Sequence, residues 1–247
     1  MKLILILIFC LSFFLAKSQH CIPINLSHSL YPGFSIEYKG NKVYKRVGFT
    51  IDVENRIYDS LGRIINISTY DIRNMETKVD TIPDMLKLFK YKNDKIYVME
   101  LYDYISLDKK IMTVYYFYNN KRQLIRQESI KGEANTNVQG LSINYYWNGV
   151  NLAKAELYVK SPTGADSLAE SYEFTAYDNH PNYEKLYEDY YMIGNFKCFS
   201  NNNYTEVILK RGNNVNKYTT SYTYNNNGYP IKEIGEGYEI DIEYKCD

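Results

Sequence analysis

Several stretches of the chain alternate strictly between apolar and polar positions. Tyr238, Ile240, Ile242, Tyr244 and Cys246 take one side, with Glu239, Asp241, Glu243 and Lys245 on the other. Leu141, Ile143, Tyr145 and Trp147 alternate with Ser142, Asn144, Tyr146 and Asn148; Ala153, Ala155, Leu157 and Val159 alternate with Lys154, Glu156, Tyr158 and Lys160. Tyr218, Thr220, Tyr222 and Tyr224 alternate with Thr219, Ser221 and Thr223. A period of two is that of a strand with one packed and one wet face, which is the habit of antiparallel sheets. Between such stretches stand Lys39-Gly40-Asn41-Lys42, Lys92-Asn93-Asp94-Lys95, Asn119-Asn120-Lys121-Arg122, Asn148-Gly149 and Asn225-Asn226-Asn227-Gly228. Asn and Gly tolerate the positive φ of tight reversals, so each reads as a hairpin turn.

Two segments break the alternation. Asp80-Thr81 followed by Pro83, Met85, Leu86, Leu88 and Phe89 predicts a short helix over 83–90, with Pro in its first turn. Tyr183, Leu186, Tyr187, Tyr190 and Tyr191 fall at helical spacing within 182–195 and predict a core-packed helix. The expected fold is all-β: an extended antiparallel meander of consecutive hairpins, about ten to fourteen strands, curled into an open or barrel-like sheet with one or two short helices.

The start of the chain predicts an address. Met1-Lys2 is positive, Leu3 to Leu15 is apolar or small, and Ala16-Lys17-Ser18 offers small residues for cleavage before Gln19. The apolar run is shorter than the ~20 residues of a membrane-spanning helix. Residues 1–18 are therefore expected to be a signal peptide and 19–247 a single antiparallel β domain, exported to the periplasm, the outer membrane's surface or beyond. Removing 18 of 247 residues leaves 229, without Lys2 and Lys17, so that 27 basic residues face 29 acidic ones. No later apolar run is long enough for a helical span.

Composition sharpens this. The 28 Tyr against one Trp and six Pro favour strands. Balanced charge, 29 basic and 29 acidic residues, speaks against a nucleic-acid partner. Cys21, Cys198 and Cys246 remain after cleavage; in an oxidising compartment one disulfide is expected, three pairings are open, and one thiol is left over.

The turns also repeat. Tyr58-Asp59-Ser60-Leu61-Gly62-Arg63-Ile64 recurs as Tyr118-Asn119-Asn120-Lys121-Arg122-Gln123-Leu124 and as Tyr224-Asn225-Asn226-Asn227-Gly228-Tyr229-Pro230, with shorter versions at Tyr38–Tyr44 and Tyr91–Tyr97. Each unit is a hairpin whose face is buried only by neighbours beside it. The first resembles the YD repeat of RHS-type bacterial surface proteins; Arg122 stands where that unit has Gly, and Tyr229-Pro230 replace its Arg and apolar residue. The succession Tyr177-Asp178-Asn179-His180-Pro181-Asn182, Ser200-Asn201-Asn202-Asn203 and Tyr222–Pro230 is similar to a group of secreted bacterial proteins of unknown function with a porin-like β fold. That resemblance implies an extracytoplasmic meander sheet and carries no catalytic residues.

Candidate chemistry is sparse. There is no His-Glu-x-x-His, Gly-x-Ser-x-Gly, Walker loop or Gly-x-Gly-x-x-Gly in a suitable context. His180 beside Asp178 reads as a turn residue, and Glu239, Asp241 and Glu243 as a solvated row or as partners of Lys232 and Lys245 rather than a cation site or glycosidase pair. No catalytic residue, metal or cofactor is expected. The expected function is a non-enzymatic envelope interaction or structural module with an unknown envelope or extracellular partner. The alternative is a small-ligand or glycan binder with a Tyr-lined concave face, for which Tyr102, Tyr104, Tyr116 and Trp147 are the candidate contacts. A hydrolase with a carboxylate pair and a membrane-embedded barrel are further readings; the short strands, the Thr and Cys on the apolar face and the polar Cys246-Asp247 end speak against the latter.

Overall fold

Alternation of the kind just described, punctuated by Asn/Gly turns, gives strands that pair with their sequence neighbours. The computed structural model describes residues 21–28, 34–40, 42–48, 52–75, 78–103, 109–131, 140–161, 165–187 and 196–246. The expected leader, Tyr104 and the second half of the 182–195 stripe lie outside them. The strands are β1 (Cys21–His28), β2 (Phe34–Lys39), β3 (Lys42–Gly48), β4 (Asp52–Tyr58), β5 (Ile64–Met75), β6 (Lys78–Lys92), β7 (Lys95–Asp103), β8 (Lys110–Tyr118) and β9 (Leu124–Lys131). They continue as β10 (Gly140–Asn148), β11 (Asn151–Val159), β12 (Ser167–Pro181), β13 (Asn202–Arg211), β14 (Asn214–Thr219), β15 (Ser221–Tyr224), β16 (Pro230–Gly235) and β17 (Tyr238–Cys246).

All seventeen form one antiparallel sheet, a meander wound into a nearly closed barrel. β14 pairs with β13 and β15 with β16, and only Thr220 separates them, so they are two halves of one run. β1 closes the barrel: it pairs with β17 from Cys21↔Cys246 to His28↔Ile240 and with β2 at Asn25 and Leu26. Cys21 and Cys246 form a disulfide directly across that seam, while Cys198 is buried and takes no part in it. Of the three open pairings the fold selects the one that joins the two ends of the sheet.

The count exceeds the expected ten to fourteen partly because 83–90 is not a helix. It belongs to β6, which pairs with β5 and β7 along its length. Pro83 pairs with Tyr70 beside a bulge that skips Asp84, and bulges are where strands accommodate Pro. Lys87 and Phe89 are buried on the inner face, and a buried charge is what made the strand read as helical. The 182–195 stripe is likewise not an α-helix where it is described. It gives a 3-10 turn at Tyr183–Tyr187, and a second such turn follows at Lys197–Phe199. No described helix is long and apolar enough to cross a membrane, which leaves strands out of account.

The repeat has a structural meaning. Asp59, Asn119 and Asn225 each accept two backbone N–H bonds on their side-chain oxygen, from Leu61 and Arg63, Lys121 and Gln123, and Asn227 and Tyr229, all at 2.9–3.0 Å. Each turn closes with a residue in the left-handed region: Gly62 (φ 73°), Arg122 (φ 63°) and Gly228 (φ 79°). Beyond the turn, the return strand carries one extra residue. Tyr44, Ile65, Tyr97, Ile125, Ala153 and Ile231 are all skipped in the pairing. The bulge lets the last aromatic of one strand and the first apolar residue of the next, such as Tyr118 and Leu124, point inward together. It also turns Leu152 inward where the alternation placed Ala153.

In a meander these hairpins all lie at one end of the barrel, here called the hairpin end. Their aromatics link one hairpin to the one before. Tyr58 donates to the Val43 carbonyl (2.6 Å), Tyr91 to Ile64 (2.7 Å), Trp147 Nε1 to Leu124 (2.8 Å), and Tyr177 to Leu152. Removing one link while keeping the ring, as in Tyr91→Phe, is expected to cost about 1–2 kcal/mol, because a partly buried carbonyl loses its donor. A lowered urea midpoint at unchanged slope is the readout, and an unchanged midpoint would show the ladder to be inconsequential.

The interior is filled. Ile67, Phe89, Met99, Val114, Tyr116, Ile143 and Tyr145 form the main core, and Leu26, Ile36, Val43, Tyr183 and Ile242 a second. The described parts of the connection between β12 and β13, residues 182–187 and 196–201, form a plug at the hairpin end and touch both cores. Phe196 packs on Tyr145 and Tyr172, while Tyr183 enters the second core. The plug is fastened by Glu233, fully buried, which accepts hydrogen bonds from Tyr183, Tyr238 (2.7 Å) and Lys197 (3.0 Å). Burial alone would lower the Lys197 ammonium, but Glu184 and Glu233 hold it well above its usual range.

Candidate functional site

The ladder of aromatics borders an opening. Between the hairpin end and the plug lies a pocket of about 780 Å³. Its floor is Ile96, Leu124 and the inward rings of Tyr91, Tyr118 and Trp147. Three hairpin turns supply one wall, through Asp94 and Lys95, Lys121 to Gln123, and Gly149 with Val150. The plug supplies the other, through Lys185, Cys198, Phe199 and Asn201. The volume falls within the range of small-molecule sites, and an apolar aromatic floor with a few polar groups is their usual lining.

Charge at this pocket is one-sided. Lys95, Lys121, Arg122 and Lys185 border it, and its one lining carboxylate, Asp94, turns to Arg63 at 3.2 Å. Among the described residues none of the four cations has a carboxylate partner. Arg122 donates to the Asn93 carbonyl (3.3 Å), Lys185 to Asn201 Oδ1, and the Lys95 ammonium lies 5.6 Å from the centre of the Tyr118 ring. Burial lowers the Lys95 ammonium below its usual range and Arg122 lowers it further; burial does the same to Lys185, with Lys95 adding to it. The cations therefore oppose one another across a partly dehydrated space.

The sequence candidates are not gathered together. Trp147 lies on the pocket floor. Tyr116 is buried in the main core, its hydroxyl 3.9 Å from Met99 Sδ. Tyr102 bonds Glu100 (3.5 Å) on the outer face, and Tyr104 lies outside the described residues. A concave Tyr-lined face is present in Tyr116 and Tyr145, but it is occupied by the core itself. The alternation did not single out Lys95, Arg122, Lys185 or Phe199. One signal was available: Arg122 occupies the position that Gly62 and Gly228 fill in the sister turns, so this turn carries a Cβ in the left-handed region, at some cost.

Other candidate chemistry has structural partners. Asp178 accepts from the His180 N–H (3.0 Å), the Asn203 amide (3.0 Å) and the Tyr224 hydroxyl, and the His180 ring stacks on Tyr224 at 3.8 Å. Lys232 pairs with Glu239 (2.8 Å) and Asp241 (3.5 Å), and Glu243 accepts from Asn25 (3.3 Å). Among the described residues no group of three or more His, Cys, Asp or Glu is placed to hold a metal.

No family model and no curated protein matches the sequence, so the YD-type resemblance gains no support there. Solved structures do match in shape. A porin-like protein from Bacteroides vulgatus ATCC 8482 superposes with a TM-score of 0.54 at 10% identity, over 91% of this chain and 99% of that one. A porin-like protein from Bacteroides uniformis ATCC 8492 gives 0.46 at 13% identity, over 90% and 97%. The first likeness is one of fold: a near-closed, all-antiparallel barrel.

Proposed function

We propose that this chain is an exported, non-enzymatic β-barrel of the bacterial cell envelope that works in water and holds a small ligand in its hairpin-end pocket. The observation that carries the reading is the inversion of what a conducting membrane barrel needs. The described interior is filled by packed side chains, an apolar core with the Glu54–Arg56 ion pair and Gln127 buried beside it. The outer face carries ion pairs around the barrel: Lys90–Glu100 (2.9 Å), Lys160–Glu128 (3.2 Å), Lys154–Glu156 (2.6 Å), Lys210–Glu173 (2.7 Å) and Lys217–Glu206 (2.6 Å). A single Lys or Arg on a lipid-facing strand costs about 2–4 kcal/mol at the bilayer midplane. Export rests on the leader pattern of residues 1–18, and a bacterial envelope setting agrees with the fold shared with the porin-like protein.

The binder alternative moves with the geometry, from the sheet's concave face to the pocket lined by Tyr91, Tyr118 and Trp147. Expression of the full chain in a Gram-negative host, followed by fractionation, tests the setting. The processed protein is expected in the periplasm or in the carbonate wash of the envelope, with no conductance in planar bilayers. Carbonate-resistant protein that opens ion-conducting pores would refute the reading.

A further inference from the structure

We infer that the ligand of the hairpin-end pocket is an amphipathic organic anion, a carboxylate, phosphate or sulfonate head on an apolar chain or ring body. The inference rests on the proposed binding role and deepens it. Lys95 and Arg122 stand on the hairpin wall and Lys185 on the plug wall, all bordering an aromatic floor.

Three features select this class. The first is uncompensated charge: where ion pairs neutralise the barrel's outer face, Lys95, Lys121, Arg122 and Lys185 meet no carboxylate among the described residues. An anion placed between the two walls would relieve that repulsion through charge-assisted hydrogen bonds, with Arg122 able to bind a planar head through two parallel N–H donors. The second is the floor. Tyr91, Tyr118, Trp147 and Phe199 offer ring faces and edges that a free inorganic anion would leave wet, so an apolar body is part of the fit. The third is size: about 780 Å³ suits a molecule of some tens of heavy atoms rather than a polymer. The chain's balanced 29 basic and 29 acidic residues provide no extended basic track for a nucleic acid.

Arg122 is the most informative of these residues. A Gly in its place would suit the turn's left-handed φ of 63° better than Arg does. Apart from its hydrogen bond to the Asn93 carbonyl (3.3 Å), Arg122 serves no ion pair among the described residues, and the pocket it borders gives its charge a use.

The chain has one tryptophan, Trp147, and it lies on the pocket floor, so its emission reports this site. The purified mature protein is titrated with dodecanoate, dodecyl phosphate, dodecanol, dodecyltrimethylammonium and inorganic phosphate below their micelle concentrations. Dodecanoate or dodecyl phosphate, or both, is expected to change Trp147 emission and to bind about tenfold or more tighter than dodecanol, a gap that narrows at about 0.5 M salt. The two anions together show which head is preferred; inorganic phosphate and the cationic detergent are expected to leave the emission unchanged. Arg122→Gly and Lys185→Ala should each weaken the anion by about five- to tenfold, leave dodecanol binding as it was, and keep or raise the unfolding midpoint in the case of Arg122→Gly. Dodecanol binding as tightly as the anions, or both variants binding anions normally, overturns the anion inference while the pocket reading stands. No Trp147 response to any chain-bearing probe overturns both.

Discussion

Replacing Cys21 and Cys246 by serine is expected to lower the unfolding free energy by about 4–5 kcal/mol, the largest effect of any single change to covalent structure here. The bridge spans 225 residues, so in the unfolded chain it closes nearly the whole described polypeptide into a ring. Loop-closure entropy grows with the logarithm of length, and a separation of 225 residues makes this a long loop. In the folded state the same bond holds the barrel's seam. β1 pairs with β17 along its length and, among the described residues, with β2 at Asn25 and Leu26 alone, so without the disulfide β1 is the strand expected to fray. Fraying would leave β17 and β2 as open edges, which are templates for association. Urea unfolding with and without reductant, beside a Cys198→Ser control, measures the effect. The double serine variant should lose stability and gain aggregation, and Cys198→Ser should not change the response to reductant. A change under about 1 kcal/mol would mean the seam is held by strand pairing alone.

The second large effect is expected inside the barrel. Glu54 is buried against Arg56 (3.4 Å), Arg46 (3.4 Å) and Lys87 (3.5 Å), on β4, β3 and β6. Truncating it to alanine leaves clustered cations in a low-dielectric interior and should cost about 3–5 kcal/mol. Burial pushes the Glu54 carboxyl up, but the three cations together outweigh burial and hold it below the usual carboxylate range. Its stabilising contribution is therefore present above the unfolded value near about 4.3 and is lost as pH falls through the lower folded value. The difference in stability between wild type and Glu54→Gln should accordingly be constant at neutral pH and shrink in acid below about pH 4. A gap that stays the same down to acid unfolding would assign the cost to packing rather than charge.

Much of the architecture was legible because its causes are local. Asp59, Asn119 and Asn225 announce their turns through side-chain acceptors that reach only two and four residues ahead. The alternation from Tyr238 to Cys246 survives intact in the inward and outward faces of β17. Bulges were harder to see. The shift that puts Leu152 inside in place of Ala153 arises after the turn and depends on how the partner strand's Trp147 is seated. At 83–90 a strand read as a helix because its inward face includes Lys87, and the reason a lysine can point inward is Glu54, on a strand two places away.

The candidate site was the least legible part. Trp147 was picked out as an aromatic on an alternating strand, while Lys95, Arg122 and Lys185 come from separate turns and meet only when three hairpins and the plug converge. The departure of Arg122 from Gly was visible, yet its meaning depended on what lay across from it.

By itself the amino-acid order determined the strand period, the places of reversal, the repeated Tyr-Asp/Asn turn and the all-β class, since each follows from backbone preference and from neighbours within a few residues. The tertiary structure decided the closure by β1, the choice of Cys21–Cys246 among three pairings, the inward lysine at 87 and the cation-rimmed pocket. Those depend on groups tens to hundreds of residues apart, and only curvature of the whole sheet brings such groups within reach of one another.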